Sequence, residues 1–197
     1  MRTALDADEN AEKVHGTPGR RPRIEHIETI QAVDIPRFGK LGVIASMQPL
    51  HSYPNEDTLN VWARNIGPDR AGRAWVWKSI ANDGGHLAFG SDWPVVTLSP
   101  WDGVQTAVTR QTKEGTPEAG FVPAQRLSVA DAVYGYTLGA AFAGRREKTE
   151  GSIENGKLAD IIILSQNIFD VDSHKISDTK VTTTIVGGRI VYQSDAK

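Results

Sequence analysis

The sequence predicts an α/β fold, with three βα units followed by a small all-β tail. Three observations lead there. Short apolar runs alternate with helical stretches three times between residues 23 and 112, the pattern of a parallel sheet or of a segment of a (β/α) barrel. The middle run, Gly42-Val43-Ile44-Ala45-Ser46-Met47-Gln48, is apolar on both faces, as in a parallel strand covered on both sides. From Glu150 the texture changes, and β-branched runs flank Gly187-Gly188, a hairpin signal.

Each element has its own justification. Residues 3–14 set Ala4, Leu5, Ala7, Ala11 and Val14 among acids, which predicts a surface helix short of a partner. His15-Gly16-Thr17-Pro18-Gly19-Arg20-Arg21-Pro22 is a turn-rich connector that ends it. Arg23-Ile24-Glu25-His26-Ile27 predicts a short strand. Thr29 to Phe38 predicts a helical stretch interrupted at Pro36, where Asp34 caps a new turn. The loop Pro49-Leu50-His51-Ser52-Tyr53-Pro54-Asn55 follows the second strand. Asp57 to Arg64 predicts a short helix and Pro68 to Asn82 a longer one, stopped by Gly84-Gly85. His86 to Gly90 is the third strand, and Trp101 to Thr112 predicts a helix. Lys113 to Gln125 reads as loop. Ser128 then opens a helix reaching about Phe142, with Ser128-Val129-Ala130-Asp131 as a capping box carrying Asp in place of Glu. In the tail, Ile161-Ile162-Ile163-Leu164, Val181 to Val186 and Arg189 to Tyr192 predict strands.

Composition excludes several function classes. The 197 residues allow one domain, or one and a small second, and 39% hydrophobic residues suffice for a core. With 22 Lys+Arg against 24 Asp+Glu the net charge is −2, so no basic surplus points to nucleic acid or an anionic membrane. The absence of cysteine excludes disulfides and thiolate metal ligands, which leaves His, Asp and Glu for any ion. No apolar run approaches membrane-spanning length, and Met1 to Asp6 shows no signal-peptide core. The expected location is cytoplasmic.

Two segments carry the chemistry. Arg23-Ile24-Glu25-His26 and Gly90-Ser91-Asp92-Trp93-Pro94 each place a metal-ligand type where an apolar run gives way to polar residues. A His and an Asp at the ends of separate strands suit a metal-dependent hydrolase built on a barrel. Plainer readings stand beside this one. A lone His at a strand end is often structural, Asp92 can cap a turn before Pro94, and His51 can be a solvated loop residue. Glu25 should point to the other side of its strand from His26. His86 starts its strand at the end opposite Asp92, on the stability face of a barrel. Trp62, Trp75 and Trp77 read as packing.

Taken together, Arg23 to His26, Gln48-Pro49-Leu50-His51, Gly90 to Pro94, the helix Leu127 to Phe142, Gly151-Ser152-Ile153 through Lys157-Leu158-Ala159-Asp160, and the closing hairpin Val186 to Tyr192 resemble the amidohydrolase superfamily. The resemblance is to its family 3 branch of metal-dependent hydrolases. It implies the C-terminal part of a (β/α)8 TIM barrel over residues 1–148, about three βα units, and the C-terminal share of a composite β-sandwich over 149–197. It also implies hydrolysis of amide- or formamide-type C–N bonds in a small-molecule substrate by metal-activated water. His26, after strand six, and Asp92, after strand eight, would hold a divalent ion, zinc for preference, with one or two ions in a complete enzyme. Asp92 would also be the catalytic acid–base. His51, Gln48 and Trp93 would contact substrate.

The same resemblance exposes a deficit. The family's strand-one His-x-His, its strand-four lysine or substitute, and its strand-five His are absent. A catalytic zinc takes about three protein ligands and keeps a position for water, whereas His26 and Asp92 are two. The expectation is therefore a fragment inactive alone, with the possibility of no bound metal, that self-associates or pairs with a missing N-terminal part through open sheet edges. A non-catalytic interaction or regulatory module retaining a partial fold is the alternative, and a barrel enzyme using Asp92 without metal is a third reading.

Overall fold

The structure, a computed structural model, describes residues 1–16 and 19–194. Thr17 and Pro18 of the expected connector, and residues 195–197 of the expected tail region, lie outside the described residues.

The first half is a three-stranded parallel sheet in the order β1-β2-β3, formed by Arg23–Glu25, Ile44–Met47 and His86–Phe89. The register pairs Arg23 with Ile44 and Ile44 with His86, and at the far end Glu25 with Ser46 and Met47 with Phe89. The strand C-termini therefore finish level, and the next residues, His26, Gln48 and Gly90, emerge from one edge. Val43, Ile44, Ala45 and Met47 are fully buried, which matches the two-faced apolar pattern of β2.

Helices cover this sheet. Helix α1 (Arg2–His15) buries Leu5 and packs against α2 (Arg37–Leu41), so the N-terminal helix has the partner its sequence did not reveal. Arg37 bonds Asp6 and Glu9 of α1 at 2.7 and 2.9 Å. The expected helix over 29–38 is instead a 3-10 turn (Ala32–Asp34) followed by α2. Asp34 caps nothing. Its buried carboxylate accepts from Arg2 and Arg37, because α1 brings a second guanidinium to it.

The stretch after β2 is also broken. A wide π-helical segment (Asp57–Ala63) runs into α3 (Arg64–Ile66) and α4 (Pro68–Ala71). The expected continuous helix over 68–82 is interrupted at Trp75, whose φ of 47° is left-handed, and resumes as α5 (Trp77–Asn82). The interruption lets Ala74, Trp75, Val76 and Trp77 all enter the core. Helix α6 (Pro100–Thr109) ends at Arg110, also left-handed. Arg110 is fully buried, donates to the carbonyl of Phe121 at 2.6 Å, and lies 4.5 Å over the Trp77 ring.

Ser128 opens the next helix as expected. Its Oγ accepts from the Asp131 N–H at 3.1 Å and donates to the Asp131 carboxylate at 2.6 Å. The helix runs through α7 (Val129–Tyr134), a π-type turn (Gly135–Gly139) and α8 (Ala140–Ala143). Gly135 and Gly139 let it lie directly on β3. A Cβ at Gly139 would stand 2.2 Å from the Leu87 carbonyl oxygen. Arg21 ties the far end of this helix to the entry of β1, bonding Glu147 at 2.7 Å and the Phe142 carbonyl at 2.9 Å.

The tail is an antiparallel sheet of β4 (Ile161–Leu164), β5 (Val181–Val186) and β6 (Arg189–Gln193), with Gly187-Gly188 at the hairpin turn. A 3-10 turn (Ser173–Asp178) docks on α6, with Ile176 fully buried and the Ser177 N–H bonded to Gln105 at 2.9 Å. Ile162, Ile163, Val186, Ile190 and Val191 stay exposed. No helix among the described residues is long and apolar enough to cross a membrane.

Candidate metal centre

The level strand ends build the site. The N–H of His26 still donates to Ser46 at 2.8 Å, continuing the β1–β2 ladder by one residue. The next N–H, of Ile27, then folds back to the Glu25 carbonyl at 2.9 Å, making His26 the centre of a γ-turn with φ of 69°. Ile27 itself has φ of 52°, costly for a β-branched side chain. This strained exit turns the His26 imidazole away from the line of the strand. Its Nδ1 meets Gln48 Oε1 at 2.8 Å. With that oxygen as acceptor, Nδ1 carries the proton and Nε2 presents its lone pair.

His51 arrives by a different route. Pro49 starts a 3-10 turn (Pro49–Ser52), closed by the His51 N–H on the Gln48 carbonyl at 3.0 Å and by Ser52 Oγ on the Pro49 carbonyl at 2.7 Å. The turn carries His51 back over β2, and its ring stacks on His26 with centroids 5.6 Å apart. Asp92, also left-handed at φ of 58°, leaves β3 on the other flank. His51 Nε2 stands 3.7 Å from Asp92 Oδ2.

One ligand atom from each of His26, His51 and Asp92 lies within 4.8 Å of the other two. Donors around a four-coordinate zinc stand about 3.4 Å apart, so small side-chain rotations bring this set onto one ion. A second observation fits a cation. His51 Nε2 is buried and has no hydrogen-bond partner among the described residues. Burial pushes the His51 pKa down, and Asp92 opposes that shift only in part. The imidazole is therefore neutral at pH 7, the form that ligates.

The other expected site residues fall as follows. Gln48, expected at the substrate, is buried and accepts from His26. Trp93 is 63% exposed beside Asp92. Glu25 points outward with Arg23, at 2.6 Å. His86 begins β3 at the opposite end and packs on Phe142, with centroids 4.4 Å apart. Trp75 and Trp77 are buried, and Trp62 packs tilted against Trp75, with ring centroids 4.6 Å apart. Sequence reasoning missed the return of His51 to the strand ends. The Pro49…Ser52 spacing was the available signal, since proline at the first position and a back-bonding serine favour a tight turn.

Residues 1–192 match the family described as the Amidohydrolase family. The chain belongs to the amidohydrolase family. Among relatives, this amidohydrolase chain is 36% identical over 189 residues to Protein LONG AFTER FAR-RED 3 of Arabidopsis thaliana, covering 95% of the chain and 31% of the relative. It is 28% identical over 171 residues to the N-substituted formamide deformylase of Arthrobacter pascens, covering 87% of the chain and 31% of the relative. An uncharacterized metal-dependent hydrolase from Pyrococcus horikoshii has a similar structure, with a TM-score of 0.69 and 27% identity, covering 87% of this chain and 33% of that one. The chain thus spans about a third of the length of the curated relatives it matches.

Proposed function

We propose that this chain forms the C-terminal part of a metal-dependent amidohydrolase that cleaves C–N bonds of amide or formamide type in small molecules. The observation that carries this reading is the convergence of His26, His51 and Asp92 at the C-terminal edge of a parallel sheet, where barrel enzymes hold their sites. The formamide deformylase relative supports the bond type, and the Pyrococcus hydrolase supports the metal. On this reading residues 1–148 are part of a barrel and 149–197 a share of a β-sandwich. A cytoplasmic location goes with it.

His26 and Asp92 are assigned as ligands. His51 is assigned as a third donor in place of the substrate contact its loop position suggested, because its buried Nε2 has no other partner among the described residues. Zinc is the ion this His and carboxylate set suits first. A bound divalent ion supplies Lewis acidity and brings the pKa of water down to about 7. Asp92 accepts the proton from the attacking water and returns it to the leaving amine nitrogen. Gln48 holds His26 in the tautomer that leaves Nε2 free. Trp93 offers an apolar face to the substrate.

The relatives are about three times longer, which supports placing the remaining ligands and site walls outside these residues. We therefore expect the 197-residue chain to bind an ion without turning over amides. The open sheet edges and exposed tail face then pair with the rest of the protein or with a second copy. Titration with cobalt, read by its visible spectrum, tests the site: one equivalent bound by the wild type, and none by the His26→Ala, Asp92→Ala double variant. Equal binding by both would sink the assignment, and formamide turnover by a homogeneous sample of the chain alone would refute the incomplete-site reading.

A further inference from the structure

The cluster of His26, His51 and Asp92 leaves Glu28, two residues beyond His26, unused. Glu28 is nevertheless held at both ends. Its carbonyl accepts from the Trp75 N–H at 3.0 Å, and the next residue, Thr29, forms an antiparallel bridge with Ala74. Its side-chain Oε2 accepts from Trp62 Nε1 at 3.1 Å. Burial pushes the His51 pKa down, and the Glu28 carboxylate stands close enough to draw it partly back. A fixed negative charge therefore stands beside the metal centre.

That charge has no answer of its own. No lysine or arginine pairs with Glu28 among the described residues. An exposed glutamate without a cation ordinarily turns freely in water, whereas this one is pinned by an indole. Trp62 sits on the π-helical segment Asp57–Ala63, is half-buried, and is itself braced by Trp75. Segments of this type are rare and recur at functional sites. A carboxylate and an aromatic ring side by side attract the same kind of group: the first by charge, the second by the negative face of its π-system. With Oε2 taken by the indole, Oε1 is the free acceptor. One free oxygen suits a single N–H of an ammonium, while a guanidinium fork is best met by both.

We propose that Glu28 and Trp62 form a subsite for a protonated primary amine. Because the subsite adjoins His51, the amine is a group carried by the substrate away from the bond that is cleaved; that last step rests on the proposed function, while ammonium binding at Glu28 does not.

The test is an NMR titration of the full chain at low ionic strength with butylammonium and, in parallel, with 1-butanol and butyrate. The Trp62 indole N–H, which donates to Glu28, is the reporter. Butylammonium should shift it saturably, and both other probes should bind at least about threefold more weakly, the scale of an exposed ion pair with a cation–π contact. Glu28→Gln keeps an acceptor for the indole and removes the charge, so butylammonium binding should weaken about threefold or more. Trp62→Phe frees the carboxylate and should weaken it as well, read at the Trp75 backbone amide. Glu12→Gln, at a surface acid of α1, should bind as the wild type does. No shift of the indole, equal binding of butanol or butyrate, unchanged binding in Glu28→Gln or Trp62→Phe, or an equal loss in Glu12→Gln would each overturn the proposal. So would loss of cobalt binding in Glu28→Gln, which would make Glu28 a metal ligand. Cobalt titration of the wild type keeps the two readings apart. Ammonium binding without cobalt binding removes the metal assignment alone, and cobalt binding without ammonium binding removes the subsite alone.

Discussion

At the scale of single residues, the site depends on how strand exits are bent. His26 and Asp92 both adopt left-handed backbone conformations that cost non-glycine residues stability. That cost sets them apart from residues that merely end strands. On the proposed function, Gln48 acts through His26, whose Nδ1 it meets at 2.8 Å. Replacing it by leucine removes the acceptor at 2.8 Å and frees the ring to rotate or change tautomer. Partners of this kind typically contribute about 10–100-fold to metal affinity. The Gln48→Leu variant should lose that much affinity for zinc or cobalt in a calorimetric titration while keeping its melting temperature within a few degrees. An unchanged affinity would show that the pair does not orient a ligand.

At the scale of elements, glycine placement decides how the long C-terminal helix meets the sheet. Gly135 and Gly139 face β3 so closely that the Phe89 ring and the Leu87 carbonyl occupy the space of a Cβ. Both backbones must move apart if Gly139 gains a methyl group, since the clash is with main chain. The Gly139→Ala variant should be less stable by about 1–3 kcal/mol, measured by urea unfolding, despite the better helix propensity of alanine. Stabilisation instead would mean that the helix does not lie on β3 at this register. Much of this layer was legible beforehand: the three strands, the Ser128 cap and the Gly-Gly hairpin all follow from local patterns. The broken stretches were not. Trp75 interrupts an otherwise helical pattern because burying four consecutive residues outweighs one left-handed φ, and no local propensity reports that.

At the scale of the whole molecule, long-range ion pairs close the chain around the parallel sheet. Arg21 and Glu147 are 126 positions apart and join the start of β1 to the end of the last helix. The Arg21 guanidinium holds the Glu147 carboxyl well below the usual carboxylate range, from 4.5 to about 2. A carboxylate whose folded pKa is depressed stabilises the fold above its unfolded pKa and loses that contribution as pH falls through the folded value. The wild type should therefore melt above Glu147→Gln at pH 7, with the difference shrinking as pH falls from about 4.5 toward 2. A difference independent of pH would mean that the pair contributes packing and not charge. The exposed apolar residues of β4, β5 and β6 are a whole-molecule feature as well, since only the assembled fold shows that neighbours such as Ile162 and Ile163, or Ile190 and Val191, stay exposed on opposite faces of that sheet.

The sequence by itself determined the family, the order of strands, and the two strand ends where His26 and Asp92 stand, because these are written in local alternation and in short motifs of fixed order. Only the tertiary structure decided that His51 joins them, that Gln48 serves His26, and that Asp34 answers two arginines. The first two depend on which segments a parallel register sets side by side, and register is fixed by burial across the entire sheet, beyond the reach of any local pattern; the third depends on α1 packing against α2.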